Sequence, residues 1–110
     1  MGLADLETFV RATARGVVVV LNDSAYGAEL HQYAARGLDP TAMLIDEVDF
    51  AALGRAMGAA GANARTLADL AVLADWLATH QTGVYVLDVA ISQKVVADWM
   101  AASMAAGRKL

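Results

Sequence analysis

The run Gly16-Val17-Val18-Val19-Val20-Leu21, followed at once by the polar corner Asn22-Asp23-Ser24-Ala25-Tyr26-Gly27, constrains this chain more than any other stretch. Four β-branched residues in succession predict a strand, and continuous rather than alternating hydrophobicity marks a strand covered on both faces, as in a parallel sheet. A buried strand that empties into a short polar turn and then a helix is where α/β proteins hold phosphates and their metal ions. Function is expected to start at that corner.

The flanking segments supply the helices such a sheet requires. Leu6, Phe9, Val10 and Thr13 recur at helical spacing, which predicts a helix over Leu3 to Ala14 stopped by Gly16. A short helix follows the corner from Ala28 to Ala35 and ends near Gly37. The stretch Leu38 to Val48, with the only proline, reads as a connecting loop. Asp49 can cap a helix over Phe50 to Met57, after which Gly58 and Gly61 bracket a segment expected to contain an edge strand near Ala62 to Ala64. Thr66-Leu67-Ala68-Asp69 has the form of a capping box with Asp in place of Glu, and opens a helix placed at Leu67 to Ala78. Gly83 introduces the second strand, Val84 to Ala90, and a last helix is placed at Val95 to Ala105. Strands separated by crossovers this long pair in parallel with right-handed connections, so the class is α/β, with residues 1–110 as a single domain.

Composition narrows the functions open to this fold. At 110 residues with 58% hydrophobic and 18% charged content, the chain can bury one core. A net charge of −4 without a Lys/Arg cluster excludes a nucleic-acid surface. The absence of cysteine removes disulfides, thiolate zinc sites and cysteine nucleophiles. The N-terminus is acidic where a signal peptide is basic, and Val17 to Leu21 is far too short to span a bilayer. Met1-Gly2 opens like a myristoylation signal, but Leu6 stands where that signal wants Ser or Thr. No membrane partner is therefore expected, and the cytoplasm is the default location. Gly58-Ala59-Ala60-Gly61 is too incomplete for a dinucleotide fingerprint, and His31 and His80 lack the spacing of a paired metal site.

From Val17 to Tyr33 the sequence reads VVVVLNDSAYGAELHQY, and here it resembles the diphosphate-binding domain of thiamine-diphosphate enzymes, the group containing acetolactate synthase and the 2-oxo-acid decarboxylases. In that family the magnesium-diphosphate motif begins with Gly-Asp-Gly and ends in Asn-Asn or Asn-Asp shortly before a Tyr-Gly. The opening Met1 to Phe9 is similar to the helix after the Gly-Asp-Gly turn, and Asp49 to Gly58 is similar to the family's next helix. The likeness continues from Thr66 to the strand at Val84. This sequence carries the second half of the motif only. The resemblance implies a partial three-layer sandwich with a parallel sheet, a truncated thiamine-diphosphate-binding fold. It also implies thiamine diphosphate and Mg2+ as cofactors of the full-length parent, and decarboxylation or carboligation of a 2-oxo acid.

Magnesium prefers hard oxygen ligands in octahedral array. By the resemblance, the metal is held by a side chain three residues before the Tyr and by a backbone carbonyl one residue before it. Counting back from Tyr26, these are Asp23 and the carbonyl of Ala25, with Asn22 as the ligand if the register slips by one. Asn is commoner than Asp there, so Asp23 adds a negative charge without changing the donor atom. Ala25, Tyr26 and Gly27 form the cofactor-binding stretch. Glu29, six residues after Asp23, stands where the decarboxylase branch places a proton-handling glutamate. By residue type alone, Asn22 and Asp23 are Asx-turn formers, Gly27 a turn glycine, Tyr26 a packing aromatic and Glu29 a solvated acid. His31 and Tyr33 can line a pocket or simply occupy an exposed helix face.

Two functional classes follow. The first is part of a thiamine-diphosphate- and magnesium-dependent enzyme that is inactive alone, because the Gly-Asp-Gly aspartate and the pyrimidine-binding domain of the parent are missing partners. The second is a noncatalytic α/β assembly or interaction module. In either case self-association into a homo-oligomer is expected, through Val17 to Leu21 or the helix bearing Trp99, because an unpaired apolar edge recruits another chain.

Overall fold

The structure, a computed structural model, describes residues 2–107, so Met1 of the Met-Gly start and residues 108–110 lie outside the described residues. Two compact units are built from interleaved segments: residues 2–22 with 49–91, and residues 23–48 with 92–107.

The first unit holds a three-stranded sheet of β1 (Arg15–Asn22), β2 (Ala60–Ala64) and β3 (Gly83–Ala90), in the order β1-β3-β2. Both pairings are parallel, with Arg15 beside Gly83, Asn22 beside Ala90, and Ala60 beside Tyr85. The parallel pairing of the two apolar runs and the small edge strand are as the sequence predicts, β2 beginning two residues earlier than the expected Ala62. Three helices flank the sheet: α1 (Gly2–Ala12), α3 (Phe50–Ala56) and α4 (Ala71–Thr79).

Period-two alternation sends β3 residues to two separate cores. Tyr85 and Leu87 pack with Ala64 and Trp76, and with Val17 and Leu73 at their margin. Val84 and Val86 pack with Ala59 on the other face, where Leu6, Phe9 and Val10 of α1 meet Val18 and Val20. Close approach here is set by glycine. A Cβ on Gly54 of α3 would lie 2.5 Å from a Val86 methyl, and one on Gly61 of β2 would lie 2.7 Å from the Val86 carbonyl oxygen.

The caps read from the sequence are present. Asp49 accepts the Ala52 N–H at 2.8 Å, and this bond above all holds the Asp49 carboxyl below its ordinary value. Thr66 and Asp69 form the reciprocal capping box, and the N–H groups of Arg65 and Thr66 lower the Asp69 carboxyl likewise. The first turn after that box, Leu67–Leu70, is a 3-10 turn, and the α-helix begins only at Ala71.

Gly16 requires a correction. The first helix ends at Ala12 and Gly16 lies inside β1, so it stops no helix. A Cβ there would lie 2.6 Å from the Phe9 ring, and glycine is needed because α1 folds its phenylalanine onto the strand that follows.

In the second unit α2 (Gly27–Ala35) ends in a Schellman arrangement. Gly37 takes a φ of +70°, its N–H reaching the Ala34 carbonyl while that of Leu38 reaches Tyr33. The expected loop after it contains a 3-10 turn at Thr41–Met43. The last helix, α5, runs Asp98–Gly107 rather than from Val95, starting at an aspartate that suits a helix N-terminus.

Candidate functional site

Asn22 closes β1 at the carboxyl end of the sheet, and the apolar strand before it fixes its backbone. Its carbonyl accepts the Ile91 N–H at 2.9 Å, and its side-chain amide donates to Asp88 Oδ2 at 3.4 Å. Asp88 lies on the central strand with 0% exposure, and the same oxygen accepts the Phe50 N–H at 3.0 Å. One carboxylate thus ties the end of β1 to the start of α3. Its Oδ1 has no hydrogen-bond partner among the described residues. A buried carboxylate oxygen without a donor is costly, and one signal in the sequence points to it: Asp88 is the sole charge between Gly83 and Ala90.

The next residues belong to the second unit. Asp23 Oδ1 accepts the Ala25 N–H at 3.1 Å, an Asx turn, and Ser24 between them takes a left-handed φ of +52°. Gly27 opens α2 directly beneath this carboxylate, and a Cβ there would collide with Asp23 Oδ2. The missing Cβ leaves the carboxylate room to lie across the start of that helix in this position.

Ala25 pairs with Leu44 in an isolated antiparallel bridge, closed on either side by Tyr26 N–H to the Met43 carbonyl at 2.8 Å and Ile45 N–H to the Ser24 carbonyl at 2.9 Å. In such a wide pair the central residues turn their own backbone groups away from each other. The Ala25 carbonyl therefore faces away from Leu44, on the side where its N–H meets Asp23. Gln93 braces the corner, its Nε2 donating to the Asp23 carbonyl at 2.6 Å and grazing that of Ser24 at 3.4 Å. Nothing in the sequence around Gln93 announces this role, since its partners lie far upstream.

Tyr26 is exposed and gives α2 no side-chain cap. Glu29 is exposed in the first turn of α2, where the helix dipole favours an acid. His31 is half-buried and Tyr33 exposed on the same helix. A cleft of about 350 Å³ between α2 and α5 is lined by Gln32, Arg36, Ser103 and Met104, and contains none of Asp23, Gly27 or Glu29. At the far end of the sheet His80 ends α4 and stacks on Trp76 at 5.4 Å, a packing role.

As a donor set, the corner offers one carboxylate and one backbone carbonyl, both hard oxygens suited to magnesium. No group of three or more His, Cys, Asp or Glu side chains among the described residues is placed to hold a metal. The residues present fit part of an octahedral shell rather than a closed cage. No helix among the described residues is long and apolar enough to cross a membrane.

A family model described as "Thiamine pyrophosphate enzyme, C-terminal TPP binding domain" matches residues 1–89, which reaches to Val89 of β3. No curated protein and no solved structure matches the chain.

Proposed function

We propose, for a chain that belongs to the family of C-terminal TPP-binding domains of thiamine pyrophosphate enzymes, that it supplies the metal-diphosphate side of an enzyme acting on a 2-oxo acid by decarboxylation or carboligation. The single observation that carries this reading is the corner itself: Asp23 lies over a glycine whose missing Cβ leaves room for its carboxylate, beside a carbonyl turned away from its neighbouring segment.

In this reading Asp23 and the Ala25 carbonyl hold Mg2+, and the backbone at Tyr26 and Gly27 faces the diphosphate at the start of α2. Asn22 fixes the end of β1 through Asp88. Glu29, one turn further on, accepts and returns protons at the reacting end of the substrate, a role that requires burial by another domain because the side chain is exposed here. Thiamine diphosphate, when bound, supplies the carbon nucleophile and the electron sink for the bond that breaks. With only part of a magnesium shell, this chain by itself binds metal and cofactor very weakly and is inactive, and completion comes from the remaining domains of the enzyme.

The test is titration of the chain with Mg2+ and thiamine diphosphate. Calorimetry at micromolar protein shows no saturable heat. Amide NMR at millimolar Mg2+ shows shifts centred on Ala25 to Gly27 that disappear in Asp23→Ala. Shifts that persist in that variant, or none at the corner, overturn the assignment and favour a noncatalytic module. Tight binding that Asp23→Ala abolishes would mean that the chain completes its own site.

A further inference from the structure

We propose, resting on the reading of the corner as a Mg2+ site, that Asp88 is a positioning residue for that site. Its buried carboxylate sets where the chain leaves the sheet at Asn22, and thereby the start of the Asx turn that presents Asp23 and the Ala25 carbonyl. Packing alone does not account for an acid here. Asp88 lies at 0% exposure on the face of β3 that carries Val84 and Val86, its Oδ1 without a donor and no cation paired with it among the described residues. A carboxylate buried in that state destabilises a sheet, and an amide or an apolar residue costs less. Nor does α3 need it as a cap, because Asp49 already accepts the Ala52 N–H there.

What the carboxylate does hold is the exit of the chain. The chain leaves the first unit after Asn22, returns at Asp49 and leaves again after Ile91. Asp88 Oδ2 takes the Asn22 amide at 3.4 Å and the Phe50 N–H at 3.0 Å, and the Asn22 carbonyl takes the Ile91 N–H at 2.9 Å. One oxygen on the central strand therefore gathers all three passages, directly or through Asn22. Asn22 is joined to Asp23, whose Oδ1 accepts the Ala25 N–H. A turn hung on a fixed strand end takes its direction from that end, and an error of about 1 Å is enough to spoil a ligand geometry.

Two substitutions separate this role from a merely structural one. Asp88→Asn keeps an oxygen for both donors and removes the charge, so the urea midpoint is expected to stay or rise while the corner is unmoved. Asp88→Val suits a central strand but accepts from neither donor. In the metal-free chain it is expected to shift the amide resonances of Asp23 to Gly27. It also speeds hydrogen exchange at Ile91 roughly tenfold or more beyond any change at Val86 and Leu87, the scale of one lost hydrogen bond to a charged group. The Mg2+ concentration at the midpoint of the Ala25 to Gly27 shifts rises severalfold in Asp88→Val and is unchanged in Asp88→Asn. A native chain without Mg2+ shifts at the corner overturns the metal reading and with it the role assigned to Asp88. Native shifts that Asp88→Val leaves in place, or that Asp88→Asn disturbs equally, overturn the positioning role alone. Should Asp88→Val fail to fold, Asn22→Asp decides in its place: two opposed carboxylates release the Ile91 amide, and adding Asp88→Asn restores its protection. Absence of that rescue overturns the positioning role.

Discussion

β3 buries five successive residues, Val84 to Asp88, whereas β1, paired with it residue for residue, leaves Val19 half exposed and Leu21 more so. Their compositions are nearly alike. The difference lies in their neighbours: β3 has a strand on each side and helices over both faces, and β1 has one strand and incomplete cover toward its carboxyl end. Burial is a property of position in the sheet. An apolar run states what a strand tolerates, and topology decides what it receives.

The sharpest way to break this comparison is to truncate two residues that sit side by side. Val19 and Leu87 are register partners, yet Leu87 is buried among Ala64, Trp76 and Tyr85. Leu87→Ala is expected to cost about 2–5 kcal/mol in urea unfolding, through lost burial and the cavity left behind. Val19→Ala is expected to cost less than about 1 kcal/mol in dilute solution. Equal losses would show that the edge is covered.

A smaller effect probes the central strand from its helix side. Gly54→Ala drives a methyl into Val86, so it is expected to cost about 1–3 kcal/mol, with Val86→Ala recovering part of that loss in the double variant. Additive losses would mean that α3 shifts to make room.

The smallest effect is a pH dependence at the caps on either side of β2. The folded carboxyls of Asp49 and Asp69 are held below their ordinary value by backbone N–H donors, so their contribution is fully present above the unfolded value of about 3.9 and is lost as pH falls through the lower folded one. Asp69→Asn should flatten the acid limb of the stability curve below about pH 4. An unchanged limb would place the acid sensitivity elsewhere.

Much of the fold was legible in the sequence because it rests on local or periodic signals. The two apolar runs, the Asp49 cap, the Thr66/Asp69 box and the glycine end of α2 each follow from residues within a few positions of one another. The misread places depend on distant partners. Gly16 looked like a helix stop, and its reason is the Phe9 ring folded back from the preceding helix. In the candidate site, the Asx turn of Asp23 and the role of Gly27 were visible as turn chemistry. The partners that hold the corner, Asp88 for Asn22 and Gln93 for the Asp23 carbonyl, are set by the parallel crossover and by the return of the chain after β3.

The strand order has a consequence for how the chain is made. Among the described strands, β1 and β2 pair only with β3, which is the last of the three to leave the ribosome. Neither of these two ladders can close until residues 83–90 are present, about sixty residues after the valine run of β1. The Phe9 ring seated on Gly16 is by contrast a contact between residues seven positions apart. A contact between residues this close in sequence closes a far shorter loop than any ladder of the sheet.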